Sequence, residues 1–279
     1  MTSFARYRRM TPVLLLFLLV AGANHATYGQ EADRLGGEKL AGLSLYRDNF
    51  LIASVPGVGG ADRPGSDAVF QISFKQRVTR NLFGSGIACY GTYSQTAFWD
   101  VYRTSFPIRD INYRPGAFFS KLIYRGNEQP VGRAEFVVHH TSNGLPGKAS
   151  RSLNRLSLGY TFPVSRGTTI NLRAWYLWGY GVGKHNYLDY IGLAGLNVYH
   201  EFKPDVAYAR LTINKGLNLD DRGLVRTRLY WNPLPKVPGN HYLLLEWYLG
   251  YAESLLEYEQ FQSTVRIGYA IRAADLFSL

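Results

Sequence analysis

The chain has 279 residues, with 31 Lys and Arg against 20 Asp and Glu, 46% apolar residues, 15% aromatics and a single cysteine, Cys89. That aromatic content excludes low-complexity disorder, and one cysteine excludes a disulfide scaffold. The longest apolar run, Val13–Ala23, is far short of the ~20 residues a membrane-spanning helix needs, which excludes a helical membrane protein.

That run sits behind Arg6, Arg8 and Arg9, has its apolar core over Pro12–Val20, and ends in the small residues Ala21-Gly22-Ala23. Basic, then apolar, then small is the order of an export signal, so residues 1–23 are set apart from the fold. Ala26 is a second candidate for the cleavage site. Loss of the three arginines lowers the net charge from +11 to +8. An exported basic chain fits an anionic partner such as lipopolysaccharide or phospholipid, and fits nucleic acid poorly. Residues 24–48 read as an irregular N-terminal segment placed to plug or cap the interior of the fold.

From Asn49 to the C-terminus the pattern has period two. Phe70, Ile72 and Phe74 alternate with Gln71, Ser73 and Lys75. The same holds for Ala134, Phe136 and Val138, for Leu156–Phe162, for Ile170–Trp178, for Val225–Trp231 and for Val265–Ile271. Strict alternation is the mark of a strand with one apolar face. Strands are predicted over 68–78, 85–98, 112–125, 133–142, 152–163, 168–179, 189–201, 205–215, 222–232, 242–252 and 264–275. Residues 49–55 supply a first strand, and the total of twelve meets the even count of bacterial single-chain barrels. Tight turns are expected at 163–167 and 203–205. Longer joins are expected near 56–67, 99–111, 143–151, 180–188, 216–221 and 253–263.

Alternation alone does not say which face is outside. The polar face repeatedly carries Arg (155, 173, 226, 228, 266 and 272). An export signal is present, aromatics such as Tyr176, Trp178, Trp231 and Trp247 gather near strand ends, and the segments are ~10 residues long, as a tilted spanning strand requires. Together these favour an all-β, twelve-stranded antiparallel transmembrane barrel over 49–279, apolar outside and polar within. No internal repeat or second domain is visible.

Nothing in the chain resembles a phosphate loop, a Cys/His zinc cluster or a paired-carboxylate glycosidase site. The segment His139-His140-Thr141-Ser142-Asn143-Gly144, followed by Ser150-Arg151-Ser152-Leu153-Asn154, does stand out. On a strand, His140 and Ser142 share a face, the one that carries Ala134, Phe136 and Val138. A hairpin turning symmetrically about Gly147 sets Asn154 opposite His140, where facing side chains lie ~5 Å apart at Cβ. A hydroxyl, an imidazole and a carboxamide then stand in the order nucleophile, base and orienting group. Taken alone, this pattern reads equally as polar residues marking the rim of a barrel. His139 points to the other face and reads as structural.

The His-x-Ser-Asn-Gly motif with an Asn twelve residues after the Ser resembles the catalytic motif of the outer-membrane phospholipase A family. Tyr93-Ser94-Gln95-Thr96-Ala97-Phe98-Trp99, Arg109-Asp110-Ile111-Asn112-Tyr113-Arg114-Pro115, and Gly250–Leu255 with Asp275-Leu276-Phe277 resemble further stretches of that family, in the same order. The resemblance implies a calcium-dependent phospholipase A1/A2 of the outer membrane, active as a homodimer, with its triad on the lipid-facing exterior. It implies Ser142 as nucleophile, His140 as base, Asn154 as its orienter and the Gly144 N–H at the oxyanion. It implies calcium held by the Leu145 carbonyl and the Ser150 hydroxyl, with Ser105 supplied by the second subunit, and Gln95 at the subunit interface. The chain departs from the family at Leu145 and Pro146, where an Arg and a small polar residue are usual, at Leu153 in place of Trp, and at Asp100 in place of Gln. Residues 141–151 hold no carboxylate, so weak calcium binding is expected. The other readings are a lipid A deacylase with an exterior Ser–His pair, and a non-catalytic porin-like or structural barrel.

Overall fold

The alternating stretches become twelve strands in a computed structural model of the protein, which describes residues 43–54, 68–126, 129–179, 186–237 and 239–273. These are β1 (Asn49–Ser54), β2 (Ala68–Thr79), β3 (Ala88–Trp99), β4 (Ile108–Tyr124), β5 (Pro130–Ser142) and β6 (Ser152–Ser165). The second half adds β7 (Thr168–Trp178), β8 (Ala194–Lys203), β9 (Ala207–Lys215), β10 (Gly223–Trp231), β11 (His241–Gly250) and β12 (Gln262–Ile271). Each strand pairs antiparallel with its sequence neighbours, and β1 pairs with β12 to close the barrel. Closure leaves no edge strand with unpaired backbone groups, which is the condition for crossing hydrocarbon with strands. The predicted export signal of 1–23, most of the predicted 24–48 segment, the 56–67 join and the 275–277 stretch lie outside the described residues.

The polarity is inverted relative to a water-soluble barrel. Leu158 is 60% exposed and Tyr176 65%, both on the outside, whereas Glu246 is 1% exposed and Arg266 is fully buried in the lumen. Leu172, Leu229, Trp231, Leu243, Leu245, Trp247 and Ile267 are further exposed apolar residues on the same outer band. An outer apolar surface around a charged interior is the arrangement of a transmembrane barrel. Leu158 lies halfway along β6, so Leu158→Arg is expected to cost about 2–4 kcal/mol of unfolding free energy in lipid vesicles. A change within ~0.5 kcal/mol, the usual size at a water-exposed site, would contradict a lipid-facing Leu158.

Four predicted strand starts shift by three residues or more, among them that of β5, which begins at Pro130 rather than 133. β4 begins four residues early at Ile108, and β3 begins at Ala88 rather than 85. The Leu82–Gly84 stretch forms a 3-10 turn whose neighbour Asn81 accepts from the Gly86 N–H at 2.7 Å, which holds 80–87 out of the sheet. The strand expected from 189 instead starts at Ala194, because Tyr187–Ile191 forms one helical turn, α1. A short apolar run fits strand or helix equally well, and here its end decides. Gly192 takes a φ of +64°, and a Cβ there would sit 1.9 Å from the Lys215 carbonyl oxygen. Ile191 then packs inward on Leu153, Trp175, Leu177 and Leu255.

That apolar cluster fills the loop end of the lumen. At the opposite end Phe50, Tyr199, Tyr208, Tyr230 and Tyr242 pack together. Between the two plugs the interior is charged. Glu135 accepts from Arg133 Nη2 and Thr161 Oγ1, both at 3.0 Å, and Glu246 accepts from Arg228 Nε at 2.6 Å. The irregular segment ahead of β1 contributes Asp48, which accepts from Tyr230 at 2.7 Å and from the Ala273 N–H at 2.9 Å. So its described part, 43–48, is tied to the barrel wall from inside.

Candidate active site

β5 and β6 form the hairpin that the sequence predicts, with His140 paired to Asn154 and Ser142 to Ser152. Arg133, Glu135, Val137 and Thr141 are buried on the inner face, so His140 and Ser142 lie on the outer one, and His140 is exposed. His140 Nδ1 and Asn154 Oδ1 are 2.9 Å apart. Oδ1 only accepts, so Nδ1 carries the proton and the lone pair is left on Nε2, the nitrogen free to act as a base. Gly179 gives the carboxamide its place: a Cβ there would stand 2.6 Å from Asn154 Nδ2. Sequence reasoning missed this glycine, since only the β6–β7 register, with Asn154 opposite Trp178, brings it near.

The β4 side is loosened beside the histidine. The β4–β5 ladder records Tyr113 with Ser142 and Gly116 with His139, but skips Arg114 and Pro115. The register carried through sets Pro115 opposite His140, and proline has no N–H to donate. Tyr113, paired to Ser142, also walls the loop beyond it: a Cβ on Gly144 would lie 3.2 Å from Tyr113 Cε2. Gly144 takes a φ of +69°. Its N–H is uncommitted among the described residues. A backbone N–H with no internal partner beside a nucleophile is the element an oxyanion site requires.

Asn143, also missed at the sequence level, ties this loop together. It is 4% exposed. Its Oδ1 accepts from the Arg151 N–H at 2.9 Å, and its Nδ2 donates to the Ala149 carbonyl at 2.9 Å. The loop therefore has a fixed shape although it is short of regular structure. Arg151 Nη1 donates to the carbonyls of Lys148 (2.7 Å) and Ser150 (2.9 Å). The Leu145 carbonyl and the Ser150 hydroxyl stay uncommitted among the described residues. Also among them, no three His, Cys, Asp or Glu side chains gather as metal ligands. A cation at this loop would therefore be met by neutral oxygens, a set that calcium accepts together with water.

Ser105 lies on the β3–β4 loop, at the same end of the barrel. Its φ is +70° and that of Phe106 is +47°, two consecutive left-handed non-glycine residues on an exposed loop. Asp100 holds this loop down. It is buried, takes a short ion pair from Arg109, and its N–H donates to the Pro107 carbonyl at 3.0 Å. Arg109 continues to Glu257 at 2.9 Å. Burial raises the Glu257 carboxyl above its ordinary value, against the pull of Arg109. Within one chain no hydrogen bond among the described residues joins the Ser105 loop to the 143–151 loop.

With His140 held by Asn154, Asn154→Ala is expected to lower kcat within the ~10²–10⁴-fold that a positioned general base supplies. KM should change little, since the carboxamide meets the imidazole and not the substrate. Steady-state kinetics would check this split.

A sequence profile of the phospholipase A1 family matches residues 59–271. Phospholipase A1 of Proteus vulgaris is 26% identical over 241 residues, covering 84% of this chain and 79% of that protein. Phospholipase A1 of Escherichia coli K12 is 27% identical over 252 residues, covering 84% and 82%. Among solved structures, outer membrane phospholipase A of Escherichia coli superposes with a TM-score of 0.68 at 22% identity, over 82% of this chain and 94% of that one. The Salmonella typhi outer membrane phospholipase dimer with bound calcium gives 0.70 at 22% identity, over 85% and 94%. The profile spans well over half of the sequence, and the chain belongs to the phospholipase A1 family.

Proposed function

We propose that this barrel, exported by the signal in residues 1–23, hydrolyses acyl esters of glycerophospholipids in the bacterial outer membrane through Ser142, His140 and Asn154. One observation carries the reading: the 2.9 Å contact between His140 Nδ1 and Asn154 Oδ1 on the outer face of β5–β6, with Ser142 next along that face. An active-site mutant of the Escherichia coli relative, in which an asparagine is replaced by alanine, agrees with a carboxamide in this role.

The chemistry follows from the tautomer. Ser142 Oγ attacks the ester carbonyl carbon and gives its proton to His140 Nε2. The carbonyl oxygen takes the negative charge and meets the Gly144 N–H. Asn154 accepts from Nδ1–H throughout, which keeps the imidazole oriented as it becomes cationic; being neutral, it orients more than it stabilises. The tetrahedral adduct then breaks its bond to the lysophospholipid oxygen, which takes the proton from Nε2 and departs. The acyl group stays on Ser142. Water gives a proton to Nε2 and attacks that ester, releasing fatty acid and restoring the hydroxyl. The same steps act on either acyl position and on the lysophospholipid.

Calcium would be held by the uncommitted oxygens of Leu145 and Ser150 on this chain, with Ser105 of the partner subunit completing the set; the Salmonella typhi relative is a dimer with bound calcium. When bound, it supplies positive charge beside the developing oxyanion. Without a loop carboxylate, the site depends on the partner subunit. That links catalysis to pairing of two barrels on their lipid-facing sides, where an exterior triad gains a second wall for the acyl chains.

The porin-like reading has less support, since packed clusters stand at both ends of the described lumen. The lipid A deacylase reading shares the Ser–His pair but not the family. The test is fatty-acid release from phospholipid micelles by refolded protein, titrated with calcium and run alongside crosslinking. Release and crosslinked dimer should rise together with calcium, and Ser150→Ala should need about tenfold more calcium for both, near the loss of one ligand's ~1.4 kcal/mol. Release that ignores both calcium and Ser150 overturns the metal assignment. Cleavage of lipopolysaccharide alone overturns the substrate.

A further inference from the structure

The lumen follows a rule with one exception. Where arginines crowd, a carboxylate stands between them. Arg210 and Arg228 face each other directly across β9–β10, a placement of like charges that is unfavourable by itself. Asp48 lies 3.7 Å from the first and 3.8 Å from the second. Glu135 stands between Arg133 and Arg173 at 3.0 and 3.4 Å, and Glu246 serves Arg226, Arg228 and Arg266.

The exception is a cavity of about 190 Å³ under the apolar plug, lined by Arg47, Arg114 and Arg155 together with His139. None of these three guanidiniums has a carboxylate at ion-pair distance among the described residues. The Arg155 guanidinium carbon lies over the Trp175 ring, 3.7 Å from its centroid, a contact that does not neutralise the charge. Glu253 also lines the cavity but is committed to Arg266 at 3.0 Å. Asp110 does not line the cavity and makes no ion pair with these arginines; its Oδ2 accepts from Asn112 at 2.7 Å and from the Leu256 N–H at 3.1 Å, while its Oδ1 is buried without a hydrogen-bond partner among the described residues. Three unneutralised cations in an enclosure walled by protein and then hydrocarbon are costly, because such a setting screens charge poorly. The volume holds a few waters at ~30 Å³ each or one small anion.

We propose that this cavity binds a soluble tetrahedral oxyanion of the phosphate or sulfate class between Arg47, Arg114 and Arg155. Planar guanidiniums with several donors suit such an anion in a way that lysine does not. His139 pairs with Arg155 across β5–β6, one residue from the His140–Asn154 pair on the other face of the sheet. The anion therefore stabilises, from inside, the hairpin that carries the proposed catalytic pair outside.

The test is equilibrium dialysis of the refolded full-length mature barrel against radiolabelled inorganic phosphate at constant ionic strength set with chloride. One saturable site per chain is expected, with sulfate competing and chloride not. Arg114→Gln and Arg155→Gln should each weaken binding at least tenfold. Thermal unfolding gives an independent readout. In phosphate-free buffer Arg155→Gln should melt no lower than the parent, because it removes a repulsion, and it should gain less from added phosphate. The absence of saturable binding by the parent barrel overturns the proposal. So does equal binding by both variants, equal competition by chloride, or a lowered midpoint of Arg155→Gln without phosphate.

Discussion

Ser142→Ala is expected to slow fatty-acid release by ~10⁴–10⁶-fold, the scale of losing a serine nucleophile whose base is intact. Removal of Oγ leaves the Gly144 N–H, the His140–Asn154 contact and the lipid-facing surface as they are. KM and dimer crosslinking should therefore hold while kcat collapses. His140→Ala should fall nearly as far, and the double variant no further than the worse single one, because nucleophile and base act as one unit. Labelling by a sulfonyl fluoride, which needs an activated hydroxyl, should disappear in each. If Ser142→Ala keeps a tenth of the parent's rate, with circular dichroism showing a folded barrel, some other residue is the nucleophile.

Much of this arrangement is legible in the sequence because side chains alternate along a strand wherever it is free of bulges, as β5 and β6 are where they pair with each other. Placing His140 and Ser142 on one face needs only their spacing, and Asn154 opposite His140 needs only a symmetric turn; the β5–β6 register bears out both. Which face looks outward is not contained in the alternation itself. It rests on the export signal, the aromatics near strand ends and the segment length, and the arginines at 155, 173, 226, 228 and 266 are lumenal in the structure. The misses share one cause. Gly179, Tyr113 and Asn143 matter through contacts with residues distant in sequence or across a loop, and a local pattern carries no signal for those. α1 reads as the end of a join followed by the start of a strand at 189, because Tyr187–Ile191 is apolar enough for either strand or helix. The deciding close approach, of Gly192 to Lys215, lies 23 residues away along the chain.

Asp100 shows how a departure from the family pattern can still be a working part. At the sequence level it stands where a glutamine is usual, next to a predicted subunit contact. In the structure it turns inward to Arg109 and anchors the loop that presents Ser105. Gln95 on β3 is bonded within its own sheet, accepting from Tyr93 OH at 2.9 Å.

Glu246→Ala is expected to be the most damaging change to stability, at about 3–5 kcal/mol, because it strips the counter-charge from buried arginines and does not replace an ion pair by apolar contacts. Glu246 meets Arg228 at 2.6 Å, Arg266 at 3.2 Å and Arg226 at 3.6 Å. The loss is not shared equally. Arg266 keeps Glu253, and Arg228 keeps Asp48 at 3.8 Å, so Arg226 loses the most, left among the described residues with the Tyr248 ring at 4.8 Å and no carboxylate at ion-pair distance. Arg226→Met in the Glu246→Ala background should therefore recover part of the loss, although either change alone destabilises. Urea unfolding in lipid vesicles would measure both steps. Glu246 is on β11 and the proposed triad on β5 and β6, across the barrel. Folded Glu246→Ala should then turn over substrate at the parent's rate and simply unfold at lower urea. If kcat falls in proportion to stability instead, the lumenal network and the outer face are coupled, and the triad's geometry depends on charges that it never touches.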